Sequence, residues 1–383
     1  MTVTVPVVRP SENGKTVSVP VLIVGAGVIG TAIACELTAR HIPCTLIDDR
    51  EPGAGATQAS AGMLAPYVEA HESGPLLDLG VRSLALYDEW IARVARDAGL
   101  PVEYRRTGTL EIALDALHAD ELRALATTSA ADVRTWLDPA NARAEHPALG
   151  AIAGALFTPT HGYVAARQLT AAHTAAALHR GASLERARVL RIARDADALR
   201  VTTSRRTLTA ASVVLAPGAW GSEIAIAGVP PLPLRPVRGQ LLHLGWRGAP
   251  LGTIVWGPDC YIVPRTDGTL LVGATVEEVG FDERTTAAGV RDLLGASCDL
   301  LPDGSSATFL AAHVGLRPAT PDELPLLGPD PRMPGLVHAS GHFRNGVLLA
   351  PLTARAVVDW IVDGKRDPAF DTLTPDRFGH ARC

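Results

Sequence analysis

The segment Val21–Asp48, which reads VLIVGAGVIGTAIACELTARHIPCTLID, decides the fold of this 383-residue chain. It begins with a short β-branched apolar run of strand length, followed by Gly25, Gly27 and Gly30 in the spacing G-x-G-x-x-G. A helical stretch and a second apolar strand come next, and that strand ends in Asp48. The order of strand, glycine loop, helix, strand and acid predicts a βαβ unit that binds a dinucleotide. The predicted elements are a strand over 21–24, a helix over 31–40 and a strand over 44–47.

Each of these residues has a separate physical task in such a unit. Gly25 permits a tight turn, Gly27 lets a pyrophosphate approach the backbone, and Gly30 lets the helix pack closely on the strand. The first N–H groups of the helix lack intrahelical partners and attract phosphate. Asp48 lies 23 residues after Gly25, where a carboxylate can accept hydrogen bonds from an adenosine ribose. The segment does not distinguish FAD from NAD, and an ordinary βαβ unit with a glycine-rich turn is the alternative.

Composition excludes several other classes of function. The chain is 47% hydrophobic, enough for a sizeable core, and its length predicts two domains. The net charge is −5 with both signs mixed along the chain, so nothing resembles a nucleic-acid-binding stripe. No apolar run approaches the roughly 20 residues that span a bilayer. Residues 1–19 lack a secretory pattern and are expected to form a flexible lead or a strand extension. Five scattered cysteines without C-x-x-C predict reduced thiols in the cytoplasm and no metal site.

The remaining chain alternates between nucleotide-fold elements and antiparallel strands. A loop of small residues follows Asp48, and strand 212–216 enters a tight turn at Pro217–Gly221. From Pro233 to Thr275 the pattern is antiparallel, with a hairpin turn at Asp267-Gly268. Near the end, strand, glycine turn and helix recur, so a second helix N-terminus should face the ligand. Further predicted elements are helices within 73–100 and over 116–126, 165–180 and 285–301, and strands over 109–114, 183–192, 199–203, 240–244, 254–256, 261–264, 269–273, 309–316 and 336–340.

The sequence therefore predicts an α/β (α+β) fold of two domains that are interleaved along the chain. Residues 19–80, 150–230 and 315–378 are expected to form the dinucleotide-binding domain. Residues 81–149 and 231–314 are expected to form an antiparallel-sheet domain that binds the substrate.

The sequence resembles the FAD-dependent D-amino-acid oxidase and sarcosine oxidase family, and within it the glycine oxidase branch of thiamine biosynthesis. The resemblance covers roughly residues 19–378, and its last three motifs in this order are more specific than the first. It implies a GR2-type FAD-binding domain and a homotetramer. The motifs that carry it are VLIVGAGVIGTAIACELTAR, the acid at Asp48, GAGATQASAGMLAP, APGAWG, CYIVPR, GLRPATPDELPLLGP and GHFRNGVLLAP.

The resemblance also implies the roles of particular residues. Arg317 would grip the substrate carboxylate with its guanidinium fork, Tyr261 would assist it, and Met63 would also contact the substrate. Arg344, beside a helix that starts near Asn345, would touch the substrate and stabilise negative charge on the reduced flavin. Taken singly, Tyr261 would be a packing residue and Arg317 a structural ion-pair residue. The residues implied in FAD binding are Gly25, Gly27, Val28, Ile29, Gly30, Asp48, Ala61, Gly62, Met63, Val189, Gly218, Arg344, Asn345, Gly346 and Val347.

The implied reaction is oxidation of glycine, and of sarcosine or small D-amino acids, by hydride transfer to flavin N5. Its products would be an imine or glyoxylate, ammonia and hydrogen peroxide, with thiazole synthesis as the destination. The alternatives are a FAD enzyme with another amine or acceptor, an NAD-dependent dehydrogenase, and a flavin-binding module without turnover. Val276 takes the position of a pocket-lining methionine, so the substrate range is open. The stretch Gly315–Arg317 lacks the flavin-linking cysteine of covalent relatives, which implies non-covalent FAD.

Overall fold

The structure is a computed structural model that describes residues 17–70, 72–128 and 133–378. Most of the predicted N-terminal lead therefore lies outside the described residues. Within them, no helix has the length and apolar character needed to cross a membrane. The α-helices are Val28–Ala39, Pro66–Glu69, Pro75–Leu84, Tyr87–Ala98, Ala116–Thr128, Pro139–Glu145, Ala166–His179, Ala287–Leu300, Gly346–Asp363 and Phe370–Leu373, with 3-10 turns at Ala56–Ala59, Gly218–Glu223, Pro302–Ser306 and Pro375–Phe378.

A nine-stranded sheet carries the predicted dinucleotide unit. Its centre is strand Val17–Val24, which pairs in parallel with Cys44–Asp48 on one side and Thr207–Leu215 on the other. Because the carboxyl ends of these parallel strands lie at one edge, ligand contacts are expected there. In order, the strands of the main path are Ala225–Ile226, Val189–Asp195, Ala198–Thr203, Thr207–Leu215, Val17–Val24, Cys44–Asp48 and Ser183–Arg186; Leu336–Ser340 joins Thr207–Leu215, and Leu326–Pro329 joins Leu336–Ser340.

Helices cover one face of this sheet with a continuous core. Helix Val28–Ala39 is apolar around most of its circumference, so it is buried between Ala166–His179 and Gly346–Asp363. Residues of the two helices Pro75–Leu84 and Tyr87–Ala98, including the fully buried Tyr87, belong to the same core. The opposite face packs against a second apolar cluster from strands between Val189 and Leu215 and the loop that follows.

A second sheet of eight strands is mostly antiparallel, as predicted. One pair differs from the prediction, because Ile254–Trp256 runs parallel to Thr109–Ala113. A three-stranded sheet is separate from both in its hydrogen bonding, and its Tyr163 packs with Leu241 and Val263 of the eight-stranded sheet. The eight strands are, in order, Thr308–Ala319, Arg235–Gly245, Thr269–Gly273, Tyr261–Pro264, Ile254–Trp256, Thr109–Ala113, Gly154–Thr158 and Thr135–Leu137; the small sheet contains Met63–Leu64, Gly162–Val164 and Tyr104–Arg105.

The predicted domain division stays a prediction, but some elements pack with the sheet of the other predicted domain. Helix Tyr87–Ala98, assigned to residues 81–149, contributes to the core around the nine-stranded sheet. Strand Gly154–Thr158, assigned to residues 150–230, is a member of the eight-stranded sheet.

Candidate active site

The three glycines of the first loop meet three different surroundings. A Cβ on Gly25, whose φ is +101°, would lie 2.1 Å from the carbonyl oxygen of Ala216. A Cβ on Gly30 would lie 2.0 Å from the oxygen of Gly25, so helix and loop are in direct contact there. A Cβ on Gly27 would have Thr57 Oγ1, at 3.7 Å, as its nearest neighbour. Only Gly27 therefore leaves free space, and that space belongs to a long cleft that it lines.

This cleft, called the nucleotide cleft below, has the chemistry that a dinucleotide requires. It encloses about 1220 Å³, part of it open to solvent. Asp48 Oδ2 accepts the Ala26 N–H at 2.7 Å and Oδ1 accepts the Arg50 N–H at 2.9 Å. Burial raises the pKa of Asp48, although these two donors oppose the shift. A carboxylate has more lone pairs than these bonds use, so Asp48 can still accept ligand hydroxyls.

The structure collects the predicted site residues into two adjoining cavities. The second, called the substrate cavity, encloses about 650 Å³, and the start of helix Gly346–Asp363 contributes to both. Gly30 lines neither and acts through packing. The nucleotide cleft contains Gly25, Gly27, Val28, Ile29, Asp48, Val189, Gly218 and Gly346. The substrate cavity contains Ala61, Gly62, Met63, Tyr261, Arg317, Arg344, Asn345 and Val347.

The Arg317 side chain crosses the neighbouring strand, and only part of its guanidinium group is hydrogen-bonded. Its Nη1 donates to the carbonyl oxygen of Thr275 at 2.9 Å, while Nη2 has no hydrogen-bond partner among the described residues. The guanidinium lies directly over Gly239, where a Cβ would approach Nη2 to 2.3 Å. Burial lowers the pKa of Arg317, but an arginine stays charged at neutral pH. The result is a half-satisfied cation facing a small cavity.

Tyr261 and Arg344 complete the polar wall of the substrate cavity. Tyr261 stacks on Trp256 at 5.5 Å, burial raises its pKa, and its hydroxyl has no partner among the described residues. Arg344 lies 5.6 Å above the Trp256 ring and forms an ion pair with Glu69 at 3.1 Å. Glu69 is itself a cavity residue that the sequence interpretation missed. It ends a short helix inside the stretch predicted to be only a loop of small residues.

A polar network behind Arg317 fixes the segment after strand Thr269–Gly273, which supports it. Glu277 accepts hydrogen bonds from Arg238, Gln240 and Thr275, the last two at 2.8 and 2.6 Å. Burial alone would raise the pKa of Glu277, but these donors and the charge of Arg238 lower it to about 2. Thr275 thus presents its carbonyl to Arg317 while its side chain is held from behind.

The expectation that Val276 lines the pocket is wrong. Its neighbours Thr275 and Glu277 turn their side chains into the network just described, so the alternation of an extended chain sends Val276 outward. It is 59% exposed and does not line the substrate cavity. None of the described cysteines lines either cavity; they are Cys35, Cys44, Cys260 and Cys298.

Other cleft residues were also missed. Thr57 accepts the Val28 N–H at 3.2 Å, Arg50 lies 4.2 Å above the Trp220 ring, and both line the nucleotide cleft with Trp220. Trp220 and Thr57 lie in motifs that carried the family resemblance, which was the available indication. Arg50 follows Asp48 by two residues but has no motif of its own.

The chain is similar to known proteins over nearly its whole length. It is 37% identical over 368 residues to the bifunctional protein ThiO/ThiG of Synechocystis sp., covering 94% of this chain and 54% of that protein. The chain thus spans about half the length of these ThiO/ThiG relatives. It is 36% identical over 357 residues to the glycine oxidase of Geobacillus kaustophilus, covering 92% of this chain and 94% of that protein.

Solved structures agree with these relatives. The crystal structure of the glycine oxidase from Geobacillus kaustophilus matches with a TM-score of 0.87 at 35% identity, over 94% of this chain and 99% of that one. An iminodiacetate oxidase from Chelativorans sp. matches with a TM-score of 0.86 at 27% identity, over 93% and 98% of the two chains. The family model described as DAO, FAD dependent oxidoreductase, matches residues 20–360. The predictions of fold class and of FAD over NAD are confirmed, and the chain belongs to the FAD-dependent oxidoreductase family.

Proposed function

We propose that this protein is a glycine oxidase, which converts glycine, oxygen and water to glyoxylate, ammonia and hydrogen peroxide. The observation that carries the proposal is Arg317, a half-buried cation whose Nη2 has no hydrogen-bond partner among the described residues, in a cavity that adjoins the nucleotide cleft. A guanidinium fork is suited to the carboxylate of an amino acid. The likeness to the glycine oxidase of Geobacillus kaustophilus and the ThiO/ThiG proteins supports glycine and a role in thiamine synthesis.

FAD fits the nucleotide cleft by the chemistry of its lining. Gly27 and the first N–H groups of helix Val28–Ala39 would hold the pyrophosphate, and Asp48 the adenosine ribose. Val189 and Gly218 line the same cleft and would contact the nucleotide. The flavin end would adjoin the substrate cavity, beside a second group of residues. These are Ala61, Gly62, Met63, Arg344, Asn345, Gly346 and Val347. We propose that the cofactor is bound non-covalently, which is consistent with the positions of the described cysteines.

The protein's own part in the reaction is to orient the substrate. Bound FAD supplies the acceptor for a hydride and the two-electron chemistry with oxygen. Arg317 fixes the carboxylate of the substrate, and the Tyr261 hydroxyl donates one further hydrogen bond to it. Arg344 and the N-terminus of helix Gly346–Asp363 add positive potential near the site where negative charge develops. Because the amine must be neutral to react, the paired Glu69 is better suited to holding Arg344 than to binding an ammonium group.

A secondary amine is the alternative substrate class. The structural likeness to an iminodiacetate oxidase supports a substrate with a carboxylate and a substituted nitrogen, such as sarcosine. A small D-amino acid, or an acceptor other than oxygen, would use the same carboxylate grip. We also propose a cytoplasmic location, to which the free thiols at Cys35, Cys44 and Cys260 are suited, and a homotetramer, by family resemblance.

An anaerobic titration of the purified holoenzyme with glycine tests the proposal. Glycine should bleach the visible flavin band, and admitting air should restore it with formation of hydrogen peroxide. Sarcosine and D-alanine titrated in parallel rank the alternative substrates. A flavin that glycine leaves oxidised, while sarcosine or D-alanine bleaches it, would reject glycine as the substrate. Recovery with a quinone but not with air would reject oxygen as the acceptor.

A further inference from the structure

The 274–286 loop, between strand Thr269–Gly273 and the following helix, is anchored at its base by one buried arginine. Arg238 is only 3% exposed. It forms ion pairs with Glu277, near the start of the loop, and with Asp282, nearer its end, the latter at 2.9 Å. A guanidinium with five donors can hold both carboxylates at once. The middle of the loop is therefore presented outward from the eight-stranded sheet in a fixed position.

The tip of this loop reaches the segments that follow two strands of the nine-stranded sheet, Cys44–Asp48 and Thr207–Leu215. Arg50 Nη1 and Nη2 donate to the two carboxylate oxygens of Glu283 at 2.8 and 2.7 Å. Phe281 approaches the Trp220 ring at 6.1 Å, and the Arg50 guanidinium covers the same ring at 4.2 Å. Arg50, Trp220, Phe281 and Glu283 are called the clasp below. Arg50 is its centre, because it covers the Trp220 ring and pairs with Glu283, while Phe281 contacts the same ring.

Two of the clasp residues face the nucleotide cleft from its rim. Arg50 and Trp220 line the cleft, while the Arg50 and Glu283 side chains are 34% and 32% exposed. Phe281 is 41% exposed and belongs to none of the hydrophobic clusters that form the core. An aromatic and a bidentate pair placed there contribute little to the core. Their contacts are instead with Arg50 and Trp220, the two members of the group that line the cleft.

We propose that the clasp of Arg50, Trp220, Phe281 and Glu283 retains FAD by closing the rim of the nucleotide cleft. FAD dissociates only after Glu283 and Phe281 of the 274–286 loop break their contacts with Arg50 and Trp220. The inference rests on the family's cofactor and not on glycine as the substrate. It also ties cofactor retention to the loop whose base, through Thr275 and Glu277, supports Arg317.

The rate of FAD release measures directly how much the clasp slows dissociation of the cofactor. Holoenzyme is diluted, and the rise of free-flavin fluorescence is followed for wild type, Glu283→Gln and Phe281→Ala. Glu278→Gln is the matched control, since Glu278 lies on the same loop but pairs with Arg235, at 3.1 Å, whereas Glu283 pairs with the cleft residue Arg50. Circular dichroism of each apoprotein checks that the fold is intact.

Glu283→Gln should release FAD about fivefold faster, equivalent to about 1 kcal/mol at 25 °C, the upper end for a partly exposed pair. Phe281→Ala should accelerate release similarly, Glu278→Gln should match wild type, and added salt should accelerate wild type more than Glu283→Gln. Wild-type release rates in both Glu283→Gln and Phe281→Ala would overturn the proposal. So would faster release in Arg50→Ala alone, because the arginine would then bind the cofactor without its carboxylate partner.

Discussion

Replacing Gly239 with alanine should displace Arg317, for which we propose the carboxylate-binding role, without unfolding the protein. The new Cβ would lie 2.3 Å from Nη2 and 2.4 Å from Cζ of Arg317, too close for either to stay. Gly239 has no positive φ, so its backbone accepts alanine. The clashing atoms are the far end of a flexible side chain, and they can move where a backbone could not. We expect Arg317 to swing away from its bond to Thr275.

The magnitude follows from the loss of one charge-assisted interaction with the substrate. Such hydrogen bonds contribute about 1.5–3 kcal/mol, so kcat/KM for glycine should fall roughly 10- to 150-fold. Oxygen consumption measures this decrease. Titration of the flavin spectrum with acetate, which has the carboxylate but no amine, should give a Kd weakened by a similar factor. The FAD content and Tm should stay close to those of wild type.

Gly245→Ala is the matched control, because it lies in the same strand and its Cβ would meet Thr308 Cβ at an ordinary 3.4 Å. It should bind acetate and oxidise glycine as wild type does. Unchanged acetate binding and kcat/KM in Gly239→Ala would refute the assignment of Arg317 to the carboxylate. Weaker activity with unchanged acetate binding would move the effect to another step.

Three further outcomes are expected. Arg317→Ala should raise KM for glycine at least as much as Gly239→Ala while FAD stays bound, which absorbance of the purified protein checks. Gly27→Val should fold but lose FAD, because its added side chain fills the cleft; a yellow variant would contradict this. The pKa of Glu277, lowered to about 2, makes its charge stabilising above pH 4.5 and progressively less so as pH falls toward 2. Glu277→Gln should therefore show a smaller fall in Tm between about pH 5 and about pH 3; an equal fall would exclude this contribution.

The sequence predicted most of the regular elements because their patterns are local. The strands over Ile254–Trp256, Tyr261–Pro264 and Thr269–Gly273 have the predicted bounds. The predicted strand over 183–192 is two strands in the structure. Ser183–Arg186 pairs in parallel with Cys44–Asp48, whereas Val189–Asp195 pairs antiparallel with Ala198–Thr203. That division depends on which partner each half meets, and no local pattern contains this information.

Site residues could be predicted where a motif specifies a backbone conformation or a close approach. They were harder to predict where a side chain acts through a contact with a residue distant in the sequence. Gly25 and Gly30 have the surroundings that their spacing implies. Val276 was misplaced because alignment gives a position but not the direction in which its side chain points. Glu69 and Gly239 were missed because each matters through Arg344 or Arg317, residues more than 70 positions away in the chain.

The interleaved order of the sheets has a consequence for biosynthesis. The nucleotide cleft is built from residues of three distant parts of the chain, within 24–57, 187–224 and 318–346. At about 5–20 residues per second, the ribosome needs roughly 15–65 s to pass from the first part to Gly346. Throughout that time the nascent chain has the glycine loop but no closed cleft, so FAD cannot stabilise an early folding unit. Flavin loading is thus expected only after the segment that ends at Gly346 has been synthesised and has joined the cleft.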